Sequence, residues 1–111
     1  MDVHIVLSYD LGLKGDYPSL YSWLDEHKAI ECGNSLAAFS FSVKTNSFDT
    51  VVEALKSSLE SHINFEPTDR IYIITKDGKD DRIKGKFIFG NRKRAPWEGY
   101  FQHGQSDTDI F

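Results

Sequence analysis

The chain predicts an α+β fold in which two helices cover one face of a mostly antiparallel sheet. Three observations carry that expectation. Two segments repeat apolar residues at i, i+3, i+4 and i+7, and other short segments are rich in β-branched and aromatic residues or alternate with period two. These segments follow one another as strand, helix, strand, strand, helix, strand, with one extra strand before an irregular tail.

Residues 4–10, His-Ile-Val-Leu-Ser-Tyr-Asp, form the first strand, which ends in the carboxylate of Asp10 and a glycine-broken turn at Gly12 and Gly15. Asp16 is placed to cap a helix that tolerates Pro18 in its first turn. Tyr17, Leu20, Tyr21 and Leu24 give that helix its apolar face. Residues 29–32 make a short strand stopped by Gly33-Asn34. Residues 35–43 alternate, with Ala37, Phe39, Phe41 and Val43 on one side. The loop 44–47 supplies a cap for a second helix, whose stripe is Phe48, Val51, Val52, Leu55 and Leu59, extended by Ile63. Pro67 breaks that helix. Residues 70–75 are nearly all apolar and read as a central strand; residues 83–89 return as a fifth, interrupted by Gly85. The chain divides into a folded domain, 1–90, and a basic and aromatic tail, 91–111.

This order is a ferredoxin-like βαββαβ pattern with an additional C-terminal strand. In the alternating register Val3, Ile5, Leu7 and Tyr9 face the helices, and Ser8 and Asp10 lie on the open face. An uncovered sheet face with apolar members such as Val6 is a dimerisation surface by default, so a homodimer is expected.

Composition narrows the function. The chain has 111 residues, 40% of them hydrophobic, and a net charge of −4, so binding to nucleic acid needs a local basic patch rather than bulk charge. The single cysteine, Cys32, excludes an intrachain disulfide and a multi-cysteine zinc site, and is expected to be a buried thiol. No apolar run approaches the ~20 residues of a membrane span, and the start has no signal-peptide core, so a cytoplasmic protein is expected. Gly12 and Gly15 lack the Gly-Lys-Ser/Thr ending of a phosphate loop. The histidines, His4, His27, His62 and His103, have no metal-ligand spacing. The basic cluster is Lys84, Lys86, Arg92, Lys93 and Arg94, with Phe87, Phe89 and Trp97 among them. Such a mixture either neutralises phosphates and stacks on bases or forms a solvated, lysine-guarded edge strand.

The element order, with Tyr9-Asp10 ending the first strand, Ser35 and Phe39 in a later one, and Asp69-Arg70-Ile71-Tyr72-Ile73 opening another, resembles the CRISPR-associated protein 2 superfamily, which includes the virulence-associated protein D toxins. The resemblance covers roughly residues 3–89 and leaves the tail outside it. It implies a small dimer directed at RNA or DNA: either a metal-dependent, toxin-like endoribonuclease or a non-catalytic nucleic-acid-binding subunit. In the enzyme version Asp10 and its symmetry mate hold Mg²⁺ or Mn²⁺, which activates water. Ser8 and Ser35 support the site, and Arg92, Lys93 and Arg94 steer the phosphate backbone. The reading from another class is a non-enzymatic protein-interaction module that dimerises through the open face and recruits a protein partner through the aromatic tail.

Overall fold

The computed structural model describes residues 1–101. The end of the tail, with His103, Ile110 and Phe111, lies outside the described residues. The elements are β1 (Asp2–Asp10), α1 (Tyr17–Glu26), β2 (Ile30–Gly33), β3 (Leu36–Ser42), α2 (Phe48–Glu60), β4 (Arg70–Asp77) and β5 (Arg82–Phe89). The strands form one open antiparallel sheet in the order β2-β3-β1-β4-β5, with β1 in the middle. β4 is an inner strand, paired with β1 on one side and with β5, an edge strand, on the other.

Strict alternation in β1 buries Val3, Ile5 and Leu7 and exposes the residues between them. Ala37, Phe39 and Phe41 of β3 and Ile71 and Ile73 of β4 join them on the same side, where both helices deliver their apolar residues to one core. All six predicted stripe positions of α2 and its extension, from Phe48 to Ile63, are buried. Each fully buried aliphatic side chain there contributes about 1.5–3 kcal/mol.

The face of α1 differs from the expectation. Leu20, Trp23 and Leu24 are buried, while Tyr21 is half exposed. Trp23 decides this orientation. Its ring meets Phe39 edge-on at 5.2 Å, and its Nε1–H donates to Ser58 Oγ of α2 at 3.0 Å. The buried arc therefore turns toward α2, and Tyr17 and Tyr21 pack with Tyr9 at the rim of the core.

Two local expectations are corrected. Cys32 is exposed, because β2 is an edge strand whose four residues all face solvent. The loop before α2 also does not supply its own side-chain cap. Ser47 occupies the cap position, but its hydroxyl donates to Thr50 Oγ1, and the Phe48 N–H is met by Asp77 Oδ1 from the end of β4 at 3.1 Å. Asp16 caps α1 as expected, accepting from Ser19 N–H, and its other oxygen accepts from Asn64 N–H.

Candidate functional site

The open face carries a cavity of about 370 Å³ lined by Ser8, Asp10, Arg70, Tyr72, Phe87 and Arg92. Strand register builds it. Ser8 lies opposite Tyr72, and Asp10 opposite Arg70, in the β1–β4 ladder; Tyr72 lies opposite Phe87 in the β4–β5 ladder. Paired residues share a face, so one end of the open face, across β1, β4 and β5, presents a serine, a carboxylate, a guanidinium and two aromatic rings together.

A bulge places Phe87. Phe87 and Phe89 would share a face in a regular strand, but Ile71 pairs with Phe89 and Tyr72 with Phe87, leaving Ile88 as the extra residue of β5. Phe89 turns to the helix side and stacks on Phe65 at 3.9 Å. Phe87 turns to the open side and meets Tyr72 edge-on at 4.8 Å. Gly85 completes the arrangement, since a Cβ there would collide with the Tyr72 ring and hydroxyl.

Arg70 Nη2 donates to Asp10 Oδ2 at 2.9 Å, and Lys93 Nζ approaches the same oxygen at 3.8 Å. The guanidinium carbons of Arg70 and Arg92 lie 5.7 and 5.9 Å from the centre of the Phe87 ring. Arg70 Nε–H is buried with no hydrogen-bond partner among the described residues. One carboxylate thus faces three cations in a chain whose overall charge is negative. Such a corner attracts anions locally.

The backbone around this corner is fixed by Asp69. Its carboxylate is buried and accepts from Gly12 N–H at 2.9 Å and Glu66 N–H at 2.8 Å, tying the loop after Asp10 to the start of β4. Gly90, at φ +76°, turns the chain beside Asp69 and Arg70, and Arg92 and Lys93 follow directly.

The predicted site residues divide. Ser8, Asp10, Arg92 and Lys93 come together. Ser35 sits in the β2–β3 turn at φ +60°, where its carbonyl accepts from Tyr9 N–H, and it does not line the cavity. Lys84 and Lys86 fall on the helix side of β5, opposite Thr75 and the buried Ile73. Lys84 is tied to Asp77 at 2.6 Å and Asp80 at 2.9 Å; its hydrogen bond to Asp77 raises its pKa and, with the Lys79 and Phe48 amides, holds Asp77 at about 2. Arg94 pairs with Glu98 at 2.9 Å. The basic run is therefore three separate groups, because strand alternation and local pairing disperse residues that are neighbours in sequence. Arg70 and Tyr72 were missed as site residues. The signal for Arg70 was its place beside Asp69 at the start of a strand, but only the pairing register puts it opposite Asp10.

The donor set does not fit a resident divalent cation within one chain. Asp10 Oδ2 is engaged by a guanidinium, and among the described residues no three His, Cys, Asp or Glu side chains gather into a metal-holding group.

No protein-family model matches this chain, and no curated protein or solved structure matches it either.

Proposed function

We propose that this chain is a nucleic-acid-directed protein of the CRISPR-associated protein 2 type, with a ferredoxin-like arrangement, that binds single-stranded RNA or DNA without cutting it. The strand order, with β1 between β3 and β4 and a helix in each crossover from β1 to β2 and from β3 to β4, supports the ferredoxin-like reading. The observation that carries the function is the pair Tyr72 and Phe87, half buried on an open sheet and bordered by Arg70, Arg92 and Lys93. Aromatic rings on a sheet give bases a stacking surface, and the surrounding cations meet the phosphates. A cytoplasmic homodimer remains part of this reading. A metal-dependent cut needs a second Asp10 from another copy and the release of both carboxylates from their guanidinium partners.

The test is fluorescence anisotropy with labelled single- and double-stranded RNA and DNA across a salt series, with Mg²⁺ or Mn²⁺ incubations read on gels. Salt-sensitive binding of single strands, weakened in Phe87→Ala, supports the proposal. Absence of binding at low salt rejects it.

The second reading is the protein-interaction module. Ile30, Ala38, Val6, Ile74 and Gly85 form one cross-strand row over all five strands of the open face, and Ile30, Val6 and Ile74 are exposed. Trp97 and Tyr100 of the tail are exposed as well. No helix among the described residues is long and apolar enough to cross a membrane.

A further inference from the structure

We infer that Asp10 is the resident anion of a phosphate site: a nucleic-acid phosphate takes the place of its carboxylate on Arg70. The inference rests on the nucleic-acid reading of the same cavity and names what that cavity holds.

Three features of the corner lead to it. The Asp10–Arg70 contact is monodentate, Nη2 to Oδ2, although a guanidinium offers five donors in a fork that suits two oxygens. The Nε–H of the same guanidinium is buried without a partner, so the fork has a donor to give to an incoming oxygen. The Asp10 side chain is 55% exposed and ends its strand, so it can leave Arg70 and be hydrated at little cost, as exposed ion pairs contribute little. A phosphate at this point keeps Lys93 and Arg92 as neighbours and lies beside the Phe87 and Tyr72 rings. A nucleotide presents a phosphate next to a base, as this corner places guanidinium groups next to aromatic rings. Asp10 in this role holds Arg70 extended over Phe87 while the site is free, and competes with the ligand for it.

The sign of the expected effect is opposite to that for a metal ligand. Removing the Asp10 charge a few ångströms from a bound phosphate tightens binding about three- to tenfold at low salt, the size expected for one unit charge in a water-accessible site. The experiment compares wild type, Asp10→Asn and Asp2→Asn. Asp2 lies on the same face at the other end of β1, about 26 Å away at ~3.3 Å per residue, and its substitution changes the net charge equally. Two probes are used: a labelled single-stranded decamer by anisotropy, and inorganic phosphate alone by chemical-shift perturbation and thermal melting. Arg70→Lys, which keeps the charge and removes the fork, serves as the companion variant, and melting curves confirm that each variant folds.

Tighter decamer binding and stronger phosphate response in Asp10→Asn, an effect below twofold in Asp2→Asn, and weakened binding in Arg70→Lys support the site. Equal gains in Asp10→Asn and Asp2→Asn overturn it, because the effect is then net charge. Weaker or unchanged phosphate and decamer binding in Asp10→Asn overturns it as well. So does Mg²⁺-dependent cleavage abolished by that substitution, since the carboxylate then serves a metal. A phosphate response at Arg70 with no decamer binding to any variant supports the anion site and rejects the nucleic-acid reading.

Discussion

Asp69 accepts a hydrogen bond from the backbone N–H of Gly12 at 2.9 Å, across the gap between the end of β1 and the start of β4. The contact lies one residue from Arg70 and two from Asp10. It therefore fixes the two chain segments whose side chains form the ion pair at the cavity. A Cβ on Gly12 would stand 3.0 Å from Thr68 Oγ1, so the close approach of the loop also depends on that glycine.

Asp69→Ala removes a buried carboxylate and leaves the part-buried hydrogen bonds of the Gly12 and Glu66 amides without their acceptor. The expected loss is about 2–4 kcal/mol, measured by urea denaturation, with an unchanged m-value. A loss under 0.5 kcal/mol would mean that the loop is held by other contacts.

Gly85→Val pushes the Tyr72 ring off β5. Decamer affinity should fall about fivefold or more, in the range for one lost stacking surface, while the circular dichroism spectrum stays the same. Retained affinity would remove Tyr72 from the binding surface.

Stability should fall in acid through Asp77. Hydrogen bonds from Lys84 and from the Lys79 and Phe48 amides lower its pKa from 3.8 to about 2. The stabilisation is fully present above the unfolded value of 3.8 and is lost as pH falls through about 2. Asp16, lowered chiefly by the Asn64 amide, adds to the same limb. Asp77→Asn should flatten the fall in melting temperature between about pH 4 and pH 2. An unaltered acid limb would assign it to other carboxylates.

The two tryptophans make the packing of the tail measurable. Trp23 is 1% exposed and Trp97 is 73% exposed. Acrylamide quenching should be strong in the wild type and nearly absent in Trp97→Phe. Weak quenching of the wild-type protein would mean that Trp97 is covered in solution, by a second copy or by the rest of the tail. Trp23→Phe should cost about 1–2 kcal/mol through the lost bond to Ser58 and the smaller ring.

Most of the secondary structure was legible because it follows from local periodicity. The alternation of β1 and β3 and the stripe of α2 report which side chains leave water, and that is written residue by residue. Register is not local. It is set by which strands pair and by how they are bulged, so Arg70 opposite Asp10, and Phe87 parted from Phe89, had no sequence signal. The basic run from Lys84 to Arg94 looked like one patch because its charges are close in sequence; alternation, the Asp77 pair and the Glu98 pair divide it. The cap of α2 follows the same rule, since its acceptor is 29 residues away. What the sequence determined alone is the element order, the core side of β1 and β3 and the position of Asp10 on the open face. What tertiary structure decided is the company Asp10 keeps, because a single-residue shift of pairing would put other side chains against it.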